Sequence, residues 1–116
     1  DRSKDMLKVG GENVAASEVE RVAMLVPGVA EVAVVGRRHP MLDEVPVAFV
    51  RLEPSRAAEA TSIVAAVDAL CRERLADFKR PREIRFVDDL PRSTLEKIAK
   101  AELRRMLQQE DERRPS

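Results

Sequence analysis

Three stretches of this chain place Gly, Lys and Arg where a plain structural domain has no need of them. The first is Lys8-Val9-Gly10-Gly11-Glu12-Asn13. Paired glycines let a backbone take positive φ and approach a ligand closely, although they serve ordinary turns equally well. The second is Arg72 to Arg85, where Arg72, Arg74, Lys79, Arg80, Arg82 and Arg85 face only Glu73, Asp77 and Glu83. Arginine forks grip phosphates and Phe78 could stack on a purine, so Phe78-Lys79-Arg80-Pro81-Arg82 could hold a nucleotide-like group. A solvated helix end is the plainer reading of the same charges. The third is Leu90-Pro91-Arg92-Ser93-Thr94-Leu95-Glu96-Lys97, a polar loop ending in a lysine that could deliver a point charge to a developing anion. It could equally be one exposed lysine among many.

Other chemistry is thinly supplied. His39 is the lone histidine and reads as a surface loop residue, so no His-His or His-Cys metal pair exists and no metal site is expected. Cys71 lies on an apolar helical stripe and reads as core rather than nucleophile. No phosphate loop of the G-x-x-x-x-G-K-[ST] type is present.

The elements that must position these residues have to be built from 116 residues, 44% of them hydrophobic, which is enough for one core. The 21 basic and 21 acidic residues cancel, and there is no Trp or Tyr and only 3 Phe, which argues against a nucleic-acid partner. A single cysteine excludes an internal disulfide and fits a reducing, cytoplasmic setting. No apolar run is long enough for a membrane span, and Asp1-Arg2-Ser3-Lys4-Asp5 is no signal peptide. The missing initiator Met and the charged opening read as a fragment of a longer protein.

Met6-Leu7-Lys8-Val9 reads as a short strand stopped by Gly10-Gly11. Ser17-Glu18-Val19-Glu20 has the form of a capping box, opening a helix that Pro27-Gly28 ends. Val29 to Gly36 reads as a strand covered on both faces, Arg37 to Glu44 as a loop, and Val45 to Leu52 as a second strand with Pro46 near its start or on an edge. Ile63, Val64, Val67, Leu70, Cys71 and Leu75 mark the longest amphipathic helix, from Ala58 to Leu75. Glu83 to Val87 resembles a third strand, and a last helix spans about Ala99 to Leu107. The expectation is an α+β domain over residues 1–108: a small, mostly antiparallel three-stranded sheet plus a short N-terminal strand, flanked by helices, followed by a frayed polar tail over 109–116.

Read together and in order, these segments resemble the C-terminal domain of the adenylate-forming acyl-CoA synthetases, the AMP-dependent synthetases and ligases that also include luciferases and peptide-synthetase adenylation domains. The resemblance rests on Asp1 to Val14 with Glu18-Val19-Glu20, on Val29 to Gly36, on Leu75 to Pro81, and on Asp89-Leu90-Pro91-Arg92 with Lys97-Ile98-Ala99-Lys100 and Leu103-Arg104. The Gly-Gly-Glu-Asn form of the first motif looks most like the acyl- and aryl-CoA ligases. The resemblance implies a large N-terminal domain, absent here, that binds ATP, Mg2+ and a carboxylic acid, and a small domain that rotates before CoA attacks the acyl-adenylate. It implies Lys97 as the catalytic lysine of adenylation and Lys4 as the hinge. It also implies Gly10, Gly11 and Glu12 along the pantetheine path and Phe78, Arg80 and Arg82 at the CoA nucleotide. ATP and CoA would be substrates, with no group held tightly by this fragment, which alone should be inactive; the particular acid is not legible.

Two positions depart from the family pattern, Glu96 standing where Gly usually precedes the lysine and Asp43 where Gly usually precedes Glu44. Two other readings stay open. One is an adenylation enzyme that loads a carrier protein, which would not need the Arg72 to Arg85 cluster. The other is an independent α+β module binding a protein through the Gly10-Gly11 face.

Overall fold

A computed structural model describes residues 5–94 and 97–113. Two strands, β1 (Met6–Val9) and β2 (Glu12–Ala15), form an antiparallel hairpin. Its two-residue turn has φ of 58° at Gly10 and 87° at Gly11, the positive pair that a tight hairpin matched to strand twist demands. The second strand is one more than the sequence reading expected. Glu-Asn-Val-Ala has weak strand propensity, and it is the pairing with β1 that extends it.

Helix α1 (Ala16–Ala23) follows directly. Ala15 is its N-cap and no side chain caps it, so the expected capping box is not formed. Ser17 lies inside the first turn, and the Glu20 carboxylate is committed elsewhere, accepting the Val34 N–H at 2.9 Å. The helix also stops at Ala23, before Pro27-Gly28, and turns carry the chain onward.

Strands β3 (Val29–His39) and β4 (Asp43–Leu52) form the long antiparallel ladder at the centre of the sheet. Most of the segment read as a loop belongs to it, because Arg37, Arg38 and His39 pair with Val45, Glu44 and Asp43. His39 thus ends a strand rather than sitting in a loop, and its Nδ1 accepts the Met41 and Leu42 N–H groups, both at 3.1 Å. Pro46 is buried, and its carbonyl accepts the Arg82 N–H at 2.8 Å. A strand residue directs its N and C=O to the same side, so the donor that Pro46 lacks faces the edge between β1, which meets β4 at Asp43, and the next strand, which joins at Val47.

Helix α2 (Ala60–Arg74) returns the chain so that β5 (Glu83–Val87) lies parallel to β4. A 3-10 turn over Pro54–Glu59 replaces the first residues expected of α2. The sheet therefore has five strands rather than three plus one, in the order β2-β1-β4-β3 with β5 also beside β4, and only the β4–β5 pair is parallel. Both faces are covered, as near-continuous apolar strands require. Val32, Val34, Ala48 and Val50 pack with α1 and α2 through Val19, Ile63, Val67 and Cys71, whereas Ala33, Val35, Val47 and Phe49 pack with Leu103 and Leu107. Burial, helped by Asp68, pushes the Cys71 thiol up to about 11, which suits a core residue.

Those leucines belong to α3 (Lys100–Arg113), which runs well past Leu107, so the polar segment expected to fray is helical as far as Arg113. Charge pairing replaces apolar burial there. The Arg37 guanidinium, 11% exposed, contacts Glu83 at 2.6 Å, Glu110 at 3.0 Å and Asp111 at 3.1 Å. Arg85 contacts Glu83 at 2.5 Å and Glu110 at 2.6 Å. Carboxylates in a last helical turn oppose the helix dipole, and the two arginines offset that cost. Hydrogen bonding from Arg85, with Arg37 adding to it against the effect of burial, lowers the Glu110 carboxyl from 4.5 to about 2. Because the folded value is depressed, this pairing stabilises the end of α3 fully above about pH 4.5, and the contribution is lost as pH falls toward about 2. Amide-exchange protection across residues 108–113, measured against the intrinsic rate at each pH, should fall over that window, and Glu110→Gln should remove the acid dependence.

Asp43 is the described non-glycine residue with positive φ, at 68°. The sequence departure at this position is therefore a matter of turn geometry, and Asp43→Gly should raise stability by up to about 1 kcal/mol in a denaturant melt by relieving left-handed strain.

Candidate functional site

The residues singled out by sequence separate onto the two ends of one sheet. Val9 pairs with Asp43, which places the Gly10-Gly11 turn beside the start of β4, and the Gly10 N–H donates to the Leu42 carbonyl at 2.8 Å. The bond from Arg82 to Pro46 brings residues 80–82 to the same end, and the 3-10 turn Asp77–Lys79 packs against β2. Gly10, Gly11 and Glu12 thus lie at the hairpin turn, while Phe78, Arg80 and Arg82 lie nearer the base of the same hairpin, on the half of the sheet where β4 begins. A Cβ on Gly10 would meet Leu42 Cδ2 at 3.2 Å, whereas one on Gly11 would meet nothing within 4 Å. Gly11 faces open space.

Arg80 and Arg82, with Arg72, Asp68, Asp77 and Pro81, line a shallow depression of about 280 Å³. The basic excess counted along the sequence does not survive folding as one cluster. Arg72 pairs with Asp68 at 2.8 Å, Arg80 with Asp77 at 2.7 Å and Lys79 with Glu18 at 3.0 Å, while Arg85 joins the network on α3. Arg82 is exposed, with no ion pair among the described residues. Phe78 is not an open platform: its ring packs against the core under α1 and α2, and Lys79 Nζ sits 5.8 Å from its centroid.

Lys97 lies at the far end. Arg92 and Ile98 form an isolated antiparallel bridge that closes the loop, and the Ala99 N–H donates to the Pro91 carbonyl at 2.7 Å. Inside it the Ser93 N–H donates to the Lys97 carbonyl at 3.0 Å, and the Lys97 N–H donates to Thr94 Oγ1 at 3.2 Å. The loop backbone is tied down while the Lys97 side chain stays exposed, with no carboxylate paired to it among the described residues. Glu96, the departure noted beside Lys97, and Lys4, the expected hinge, lie outside the described residues.

Arg92 also pairs with Glu31, which Arg51 contacts at 2.7 Å. Hydrogen bonds from Arg92 and then Arg51 hold the Glu31 carboxyl below its ordinary range despite burial. Since Glu31 and Arg51 are opposite each other near the end of β4, this tether draws Arg92, at the base of the Lys97 loop, toward the end of the sheet remote from Asp43. The eight-residue separation of Asp43 and Arg51 along a strand corresponds to roughly 26 Å.

Sequence reasoning placed Lys100 in the last motif but gave it no role. Its Nζ contacts Asp5 at 3.0 Å and Glu20 at 2.7 Å, and its side chain is 16% exposed. A lysine in the first turn of a helix opposes the dipole, and that was the available hint of acidic partners. Among the described residues no group of three or more His, Cys, Asp or Glu converges to hold a metal, and no helix is long and apolar enough to cross a membrane.

Among the described residues, the α+β domain carries an open glycine turn at Gly10-Gly11 and a lysine loop whose backbone is hydrogen-bonded at its base. The chain belongs to the AMP-binding enzyme C-terminal domain family, whose model matches residues 18–97. It is similar to 2-succinylbenzoate–CoA ligase of Geobacillus kaustophilus, 44% identical over 107 residues that make up 92% of this chain and 21% of that one. It is also similar to 4-chlorobenzoate–CoA ligase of Pseudomonas sp., 46% identical over 103 residues, 88% of this chain and 19% of that one. Among solved structures, an anthranilate CoA ligase in complex with anthranoyl-AMP superposes with a TM-score of 0.82 at 37% identity, over 90% of this chain and 20% of that one. The chain spans about a fifth of the length of the relatives it matches.

Proposed function

We propose that this chain is the mobile C-terminal domain of an ATP-dependent carboxylate–CoA ligase, and that its two ends serve two successive half-reactions. The observation that carries this reading is the separation of the Lys97 loop from the Gly10-Gly11 turn by the length of β4. Groups based toward opposite ends of β4, where Asp43 and Arg51 are roughly 26 Å apart, are poorly placed to attend the same reacting carbon at once. Turning the domain between steps presents each in its turn, and Lys4, just before β1, is the pivot.

In the first step a carboxylate oxygen attacks the α-phosphorus of ATP and pyrophosphate leaves. Lys97 Nζ supplies a positive charge where negative charge builds up around the carboxylate and α-phosphate. A loop pinned by the Arg92–Ile98 bridge and by Arg92 on Glu31 needs little reorganisation to deliver it. In the second step the CoA thiol attacks the acyl carbonyl and AMP leaves. Gly10 and Gly11 let the pantetheine arm pass close to the backbone, with Glu12 beside it. Arg80 and Arg82 receive the nucleotide phosphates, Arg82 being the more available of the two, and Phe78, partly buried against the core, lies beside them. Mg2+ belongs with ATP on the large domain, as does the pocket that selects the acid. A reducing cytoplasmic setting suits the buried thiol of Cys71.

The three relatives named above are CoA ligases by name, which favours CoA over a carrier-protein thiol as the acceptor. The 116-residue chain on its own is expected to release no pyrophosphate from ATP with any carboxylic acid, since one lysine cannot activate a carboxylate. A coupled pyrophosphate assay on the pure chain checks this, and turnover there would contradict the reading.

A further inference from the structure

We propose that Lys100 is a positioning residue for adenylation, locking the segment that follows the pivot to the loop that carries Lys97. This rests on the domain reading above, but the observations behind it are separate. Asp5 and Lys97 are far apart in sequence, yet they bear on one mechanical task. If the domain turns about the residue before Asp5 and carries Lys97 into an active site, the place where Nζ arrives depends on the stiffness of everything between them. Lys100 shortens that path to one ion pair. Its ammonium reaches Asp5 Oδ1 at 3.0 Å from the first turn of α3, three positions beyond Lys97.

The same ammonium reaches Glu20 Oε2 at 2.7 Å, and that oxygen also accepts the Val34 N–H from β3 at 2.9 Å. Chain entry, α1, β3 and the start of α3 therefore meet at one nitrogen. At 16% side-chain exposure the ammonium is largely removed from water, and it sits where the helix dipole disfavours it. An ordinary surface lysine tolerates neither condition, and here two carboxylates offset both. The Arg92–Glu31 pair anchors the other base of the loop, so Lys97 is held from both sides.

The test is a pair of single-turnover measurements on the full-length ligase: acyl-adenylate formation from ATP and acid, and thioester formation from supplied acyl-adenylate and CoA. Lys100→Met should slow the first by about 10- to 100-fold while leaving the second within about 3-fold, because misplacing a group by about 1 Å costs that much in rate. Lys100→Arg should recover most of the loss, since a guanidinium can span both carboxylates, and Asp5→Asn should give an intermediate loss. A purely structural lysine would not divide the half-reactions. Equal slowing of both steps, or no slowing of either while Lys97→Ala blocks adenylation, overturns the proposal. If Lys97→Ala leaves adenylation intact, the domain reading itself is wrong and this proposal falls with it.

Discussion

Lys97→Ala in the full-length ligase is expected to slow acyl-adenylate formation by about 100- to 1,000-fold, the scale on which removal of one preorganised charge or donor from a transition state is felt. Thioester formation from supplied acyl-adenylate should be nearly unchanged if, as proposed, the lysine serves only the orientation for adenylation. Stability should also be unchanged: the side chain is exposed and paired with no carboxylate among the described residues. The loop keeps its shape through backbone bonds from Ser93, Lys97 and Ala99, none of which the substitution touches. Quench-flow measurement of the two half-reactions checks this, and equal slowing of both would show that Lys97 does not act by end-specific presentation.

The converse is expected at Gly11. Gly11→Ala should slow the attack of CoA by about 10-fold or more, with adenylation little affected, because a methyl there would intrude on the proposed path of the pantetheine arm. Gly11 is informative since the added Cβ would touch nothing within 4 Å in this chain, so the loss reports an external occupant rather than a clash. The positive φ of 87° adds a stability cost of about 1–2 kcal/mol, which a thermal melt measures separately. At Gly10, by contrast, a Cβ crowds Leu42 Cδ2 at 3.2 Å, and the effect of a substitution is confounded with the hairpin.

The apolar parts of the fold were legible because their periodicity is local. Ile63, Val67 and Cys71 repeat every fourth residue and mark α2, and the unbroken run Val32 to Val35 marks a strand buried on both sides. What was not legible is held by partners distant in sequence. The helical end of α3 depends on Arg37 and Arg85 reaching Glu110, and a polar tail read alone gives no sign of them. Arg37 to His39 are strand only because Asp43 to Val45 lie opposite. The capping box failed for a related reason: Glu20 has a stronger claim on it from Lys100 and the edge of β3 than from its own helix.

The candidate residues were legible one by one, and the glycine turn and lysine loop stand in the structure as separate, well-based features. Their distribution over two ends was not legible, since it follows from β5 joining β4 in parallel and from Arg92 reaching back to Glu31. The charge count over Arg72 to Arg85 overstated the free cations, because its window left out Asp68, one helical turn before Arg72, and nothing along the chain points to Glu18 under Lys79.

The central claim is that the two ends of the sheet are chemically distinct, one for CoA and one for adenylation. A titration of the 116-residue chain with CoA and with dephospho-CoA, followed through backbone amide signals, tests it most directly. Shifts confined to Gly10, Gly11, Glu12, Arg80 and Arg82, larger with CoA than with dephospho-CoA, are the predicted result. Shifts centred on Lys97, Ile98 and Lys100, or none at either end at millimolar CoA, would contradict it.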